Sequence, residues 1–170
     1  MSTDKGAAKV YELLDSLNID YQKHTHPPVN TIEEAAPYWK DIPGAHCKNL
    51  FLRDAKGKRH FLVVLPGHKS ADLKRLAAVI GSTRLSFASP RRLERYLGLE
   101  PGSVSVLGIV NDEENHVRVY IDREILDEEF VNFHPNINTV TLTIPTAGLR
   151  KFLESQGNEI GFIGIDGADA

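Results

Sequence analysis

The chain has 170 residues, 41% apolar and 25% charged, which suits one domain around a real core and excludes a disordered or low-complexity protein. Its one cysteine, Cys47, excludes an internal disulfide and fits a reducing compartment. No apolar run approaches the ~20 residues of a membrane span, and Met1-Ser2-Thr3-Asp4-Lys5 has no apolar signal region behind it, so a cytoplasmic protein with no membrane partner is expected.

In chain order, Ala8, Val10, Tyr11, Leu13, Leu14 and Leu17 predict an amphipathic helix over 5–17. Residues 21–26 read as extended and end at Pro27-Pro28. Asn30 or Thr31 caps a short helix stopped near Pro37. A hairpin over 49–65 turns at Asp54-Ala55-Lys56-Gly57 and breaks at Pro66-Gly67. Ser70 is the expected cap of a helix over 71–80 closed by Gly81, and Ser89-Pro90 opens another that ends at Gly98. Residues 104–110 and 116–121 read as two strands about a turn at Asn111-Asp112-Glu113-Glu114. A short helix over 122–127 follows, then strands over 130–134 and 140–144. Thr146 caps a last helix over 147–155 that Gly157 ends, and residues 160–170 are expected to fray. Hairpins mixed with non-alternating helices predict an α+β single domain, residues 1–170, around a mixed, mostly antiparallel sheet or partial barrel flanked by helices.

The net charge of −3 hides an asymmetry. Residues 48–95 hold twelve Lys and Arg against three acids, a net of +9, and the remainder carries −12. A segment this basic in an acidic chain suggests an anionic partner on one face, although solvated faces of two helices and a hairpin would give the same count.

Among candidate sites, the histidines lack metal-ligand spacing: His24 and His26 alternate on a strand, and His46 adjoins Cys47. No metal is expected, and no cofactor. Cys47 reads as a small buried residue, since its neighbours His46 and Lys48 point to the opposite strand face. Gly-rich phosphate loops and the Gly-Xaa-Ser-Xaa-Gly elbow are absent. What stands out is Lys48-Asn49 at the mouth of a buried apolar strand, where an ammonium and a carboxamide sit on a rigid element. His134 in Asn132-Phe133-His134-Pro135-Asn136 and the loop Gly102-Ser103-Val104-Ser105-Val106 join it as candidates. Taken singly, each has an ordinary structural explanation.

Taken together, Lys48-Asn49-Leu50-Phe51-Leu52, residues 69–76, Leu97-Gly98-Leu99-Glu100-Pro101-Gly102-Ser103-Val104 and Asn132-Phe133-His134-Pro135 resemble the YbaK/prolyl-tRNA synthetase-associated editing domain family. The resemblance runs from about residue 8 to 152 and is nearest the freestanding branch that deacylates Ala-tRNA(Pro). It implies an ester hydrolase that clears mischarged tRNA in trans, with no DNA partner and with transient association with prolyl-tRNA synthetase as a further expectation. It implies that Lys48, Asn49 and His134 occupy the catalytic positions and that Gly102, Ser103, Val104, Ser105 and Val106 form the loop beside the scissile ester. The family pattern often reads Gly-Xaa-Xaa-Xaa-Pro, and this chain has Val106 at the proline position, which frees one φ angle and restores an N–H. Loop N–H groups would donate to the developing oxyanion, at ~3 kcal/mol each. The tRNA must also be read, and Lys56, Lys58, Arg59, Lys69, Lys74, Arg75, Arg84, Arg91, Arg92 and Arg95 are the candidates. Two alternatives stay open: a deacylase for Cys-tRNA(Pro) or another small amino acid, and a non-catalytic tRNA- or synthetase-binding module.

Overall fold

Strand β3, His60–Pro66, is buried at every position, which is why the run His-Phe-Leu-Val-Val-Leu-Pro forms a central strand rather than an amphipathic one. A computed structural model describes the chain over residues 2–29, 31–40 and 42–165. β3 pairs antiparallel with β2, Ala45–Arg53, through a turn that the Asp54 carboxylate closes by accepting from the N–H of Lys58 (2.9 Å) and Arg59 (3.2 Å). Gly57 sits in this turn at φ +68°, a conformation that favours glycine.

The remaining elements fall in place around this pair. They are α1 (Ser2–Ser16), β1 (Gln22–Thr25), α2 (Ile32–Trp39), α3 (Leu73–Ile80), β4 (Ser86–Phe87) and α4 (Pro90–Leu97). After them come β5 (Val117–Asp122), β6 (Phe130–Phe133), β7 (Val140–Pro145), α5 (Thr146–Ser155) and β8 (Ile160–Ile163). The sheet order is β1-β7-β6-β2-β3-β5-β8, with β4 also on β2. The pairings β2–β6, β3–β5 and β5–β8 are parallel and the others antiparallel, so this is an open mixed sheet in an α+β fold. Val10, Leu14, Leu93, Leu97, Leu149 and Phe152 bring α1, α4 and α5 onto one core. Leu76 and Ala77 of α3 pack into a second core with Leu50, Leu52 and Phe61.

Local chemistry sets the helix ends. Ser89 Oγ accepts from Arg92 N–H ahead of Pro90, and Gly81 and Gly98 close α3 and α4 in the left-handed region, as their positions predict. The cap of α3 is Asp72 rather than Ser70, since the Asp72 carboxylate accepts from Arg75 N–H. Thr31 caps α2, which runs through Pro37 to Trp39; Asn30 lies outside the described residues. Thr146 does not cap α5, because its hydroxyl donates to the Glu128 carbonyl instead.

Two expected elements also fail. Residues 104–110 are not a strand: Val106–Asn111 is a buried 3-10 turn, nucleated where Ser105 Oγ accepts from Leu107 N–H. Strand β5 therefore has no hairpin partner before it and pairs parallel with β3. A short apolar run carries no period that separates a central strand from a buried turn. Residues 160–163, expected to fray, form β8 because β5 offers them an edge; residues 166–170 lie outside the described ones.

Asp112 ends the 3-10 turn and ties three segments together. It accepts from the backbone N–H of His116 (3.1 Å) and Val117 (2.7 Å) and from Asn158 Nδ2 (2.8 Å). Asp112→Ala strands these buried donors and should lower folding stability by ~3 kcal/mol or more. Denaturant unfolding measures it, and a midpoint within experimental error of the wild type would show that the hub contributes nothing.

Candidate active site

The sheet forks at β2. Along its outer edge β6 pairs with Ala45 and His46, and β4 pairs with Leu52 and Arg53. Between them no described strand pairs with residues 47–50 on that side. A cavity of about 190 Å³ opens at this fork, lined by Val29, Thr31, Ala35, Trp39, Cys47, Lys48, Asn49, Gly102, Val104 and His134. A smaller chamber of about 20 Å³ adjoins it, sharing Trp39, Cys47, Asn49 and His134 and adding Asn132, Phe133 and Thr141.

Lys48 and Asn49 thus line one cavity with His134, which lies 85 residues further on. Asn49 is held by the loop: its Oδ1 accepts from Val106 N–H at 3.0 Å. An N–H at position 106 is available because the residue is valine rather than proline. The loop itself starts with a turn in which Ser103 N–H donates to Glu100 C=O at 3.0 Å, with Pro101 second and Gly102 third at φ +91°. That is the geometry of a type II turn, in which the third position favours glycine.

The loop alternates from there. Gly102 and Val104 line the cavity, whereas Ser103, Ser105 and Val106 are buried behind it. The N–H groups of Ser103, Val106, Leu107 and Gly108 are all taken by protein acceptors. Among the described residues none accepts from the N–H of Gly102 or Val104. Ser103, Ser105 and Val106, expected to contact substrate, instead support the two residues that face the cavity.

His134 Nδ1 lies 2.8 Å from the Val140 carbonyl, which can only accept, so Nδ1 carries the proton and Nε2 keeps its lone pair. Burial pushes the His134 pKa below the usual histidine value, the Val140 bond pulls the other way, and His26 lowers it further. The ring is therefore neutral at pH 7. Cys47, on the cavity wall, has its thiol pushed up to about 12 by burial and by the charge of Glu128, so it is an inert neutral wall, as its strand position predicts. Trp39 stacks on His46 with ring centroids 4.6 Å apart. Thr31, Ala35 and Trp39 were absent from the candidates. Their i, i+4, i+8 spacing on one helix face was the available signal.

The basic segment divides in the fold. Lys56, Lys58, Lys74, Arg84, Arg91 and Arg95 are exposed, and Arg59 and Arg75 are half-buried. Lys69 is a correction: it is 7% exposed, with Nζ 2.8 Å from Asp122 and bonded to the Ile165 carbonyl, so it is not free to meet a phosphate. Arg92 is a second correction, because its Nη1 donates to Gly57 C=O (2.9 Å) and to His60 Nε2 (3.0 Å). The donor-only guanidinium fixes His60 as an Nδ1–H tautomer that donates to His116 Nε2, with Tyr96 stacked on His116. Burial, then the charges of His116 and Arg92, push the His60 pKa down to about 4. Arg92 is part of this half-buried link between the β2–β3 turn and α4. Among the described residues no three His, Cys, Asp or Glu side chains are grouped as a metal would need, and no helix is long and apolar enough to cross a membrane.

Residues 26–152 match the model of the aminoacyl-tRNA editing domain. The chain belongs to the aminoacyl-tRNA editing domain family. Over 145 residues it is 44% identical to the prolyl-tRNA editing protein ProX of Acetoanaerobium sticklandii, covering 85% of this chain and 88% of that one. It is 35% identical to the prolyl-tRNA synthetase associated domain-containing protein 1 of Danio rerio, over 84% of this chain and 78% of the relative. In fold it resembles the crystal structure of hypothetical protein APE2540, with TM-score 0.70, 19% identity, and 91% and 98% of the two chains covered. A crystal structure described as that of a candidate trans-editing enzyme for prolyl tRNA synthetase gives TM-score 0.69 at 19% identity, covering 95% and 98%. Lys48, Asn49, the 102–106 loop and His134 all lie inside the matched span of the editing domain.

Lys69 provides a test of its reassignment. Lys69→Met leaves the Asp122 carboxylate buried without its cation and should cost ~3–5 kcal/mol of stability. The folded fraction should bind tRNA as tightly as the wild type. A stable variant with weakened tRNA binding would return Lys69 to the binding face.

Proposed function

We propose that the protein is a trans-editing deacylase that hydrolyses the ester of alanine mischarged onto tRNA(Pro), releasing alanine and free tRNA. The whole chain acts as one editing unit. The observation that carries this reading is the conjunction, in a chain 44% identical to a prolyl-tRNA editing protein, of a cation, two uncommitted loop N–H groups and a neutral histidine around one cavity.

In the proposed reaction, water adds to the ester carbonyl and negative charge develops on the carbonyl oxygen. The N–H groups of Gly102 and Val104 face that oxygen as fixed donors, each worth ~3 kcal/mol if aimed at the transition state. Lys48 is a point cation for the same charge or for the terminal phosphate. His134 Nε2 accepts a hydrogen bond from the attacking water and orients it. The intermediate collapses by breaking the bond between acyl carbon and ribose oxygen. One proton of the water passes to that oxygen, with the vicinal ribose hydroxyl as the nearest relay on the substrate, and the other stays on the alanine carboxyl, which then ionises to solvent. Asn49 is a positioning residue, since its carbonyl oxygen is committed to Val106.

Size supports alanine over proline. The chamber of about 20 Å³ takes roughly one water- or methyl-sized group on the scale of ~10–15 Å³ per probe sphere. A methyl side chain enters, and a pyrrolidine ring does not, so cognate Pro-tRNA is spared. The chamber cannot distinguish alanine on tRNA(Pro) from alanine on its own tRNA, so the nucleic acid is also read. Lys56, Lys58, Arg59, Lys74, Arg75, Arg91 and Arg95 are the proposed phosphate contacts. Transient association with prolyl-tRNA synthetase, which the names of the relatives suggest, belongs to the same proposal.

Lys48→Ala, with an unchanged melting curve, should remove most hydrolysis of Ala-tRNA(Pro), by ~100-fold or more. In the wild type the rate should fall on the acid side with a midpoint below 6.5, as the depressed His134 pKa is crossed and Nε2 gains a proton. Single-turnover deacylation across pH, with Pro-tRNA(Pro) as the spared control, measures both. Near-normal turnover by folded Lys48→Ala, or an acid limb with its midpoint at or above pH 6.5, would overturn these assignments.

A further inference from the structure

Among the described residues the most exposed large apolar side chain is Phe87, 59% exposed on the two-residue strand β4. It lines a surface groove of about 500 Å³ with Arg53, Arg84 and Leu73. Arg84 is exposed and has no partner among the described residues. The Arg53 guanidinium caps the carbonyls of Asp54 and Ala55 and still borders the groove. An exposed aromatic face between two guanidinium groups, in a segment of net +9, fits an anion that also has flat apolar faces.

Register connects this groove to the active site. Phe87 is directly opposite Leu52 in the β2–β4 pairing, so their side chains share a sheet face. Side chains at even positions of β2 lie on one face, which puts Lys48, Leu50 and Leu52 together. Leu50 and Leu52 are buried under α3, and Cys47 and Asn49 of the other face also line the cavity, so what Lys48 and Phe87 share is the outer edge of β2. Their separation along β2 is four residues, about 13 Å at ~3.3 Å per residue. The fork cavity and the Phe87 groove are successive stations on one edge.

We propose that this groove holds an unpaired nucleobase of the tRNA 3′ end, stacked on Phe87, with Arg53 and Arg84 on its flanking phosphates, while the terminal aminoacyl ester enters the cavity at Lys48. This inference rests on the deacylase reading for its ligand. A ligand that must thread a terminal ester into the fork reaches β4 through its single-stranded end, and base stacking on an aromatic face suits such a strand whatever its sequence. The groove thereby supplies affinity for the nucleic acid apart from the chemistry, and it lets a small cavity act on a large substrate.

The test is equilibrium binding of uncharged tRNA(Pro), which does not depend on hydrolysis. Two transcripts are compared by fluorescence anisotropy, one complete and one lacking the single-stranded 3′ end. Wild type should bind the complete transcript more tightly. Phe87→Ala should weaken that binding by roughly 5- to 150-fold, the range of one base–aromatic stack, and narrow the difference between transcripts by the same factor. Phe87→Trp should retain it. Arg84→Ala should reduce the slope of log affinity against log salt by about 0.7, one single-strand phosphate contact. Hydrolysis of a 3′-alanyl adenosine ester should be unchanged in Phe87→Ala, and failure of wild type to hydrolyse it would count against the deacylase reading alone. Equal wild-type affinity for both transcripts would overturn the groove assignment. So would a Phe87→Ala protein with unchanged tRNA affinity, or one altered only in self-association.

Discussion

One hydrogen bond organises the candidate site: the Asn49 side chain, on a strand of the central sheet, accepts from the Val106 backbone N–H. β2 is clamped to β3 along one edge over residues 47–53, and on the other it is released between β6 and β4. At that gap a rigid strand meets an irregular loop. Loops carry chemistry most effectively when a stiff element fixes them. The Asn49 bond does this at one end, and the type II turn at Gly102 does it at the other. Between the two anchors the loop can present the Gly102 and Val104 N–H groups to the cavity without further support.

The histidines show how burial, ahead of neighbouring charges, sets protonation. His134 is held as one tautomer by the Val140 carbonyl and kept neutral by burial. His60 is held by Arg92, a donor that cannot lose its proton, and is also neutral at pH 7. Below pH 6.5 the unfolded chain binds protons that these buried rings resist, so both work against folding as pH falls toward their depressed values. The two rings differ in where they point their free chemistry. His134 lines the cavity, whereas His60 spends both nitrogens within the protein.

Much of the fold was legible in the sequence because its signals were local. Ser89-Pro90 and Gly98 mark both ends of α4, Gly81 closes α3, and Asp54 through Gly57 mark the hairpin turn. Partnerships that depend on distant residues were not legible. Residues 104–110 looked like a strand because an apolar run does not reveal that its polar backbone is satisfied by Ser105 and Asn49. Residues 160–163 become a strand only because β5 exposes an edge. At the site, Lys48, Asn49 and His134 were found through their motif, and the fold gathers them around one cavity. Lys69 and Arg92 were misread because charge in sequence carries no information on burial. Asp122 claims the first, and Gly57 with His60 claims the second.

The central claim is that the Asn49–Val106 bond holds the 102–106 loop in place at the cavity. Its most direct test is backbone amide exchange at Val106, measured together with the single-turnover deacylation rate in Asn49→Leu. Leucine keeps the volume and removes the acceptor. The account predicts that Val106 exchange accelerates and the rate falls together, while exchange in β3 stays at wild-type protection. A rate unchanged while Val106 exchanges freely would contradict it.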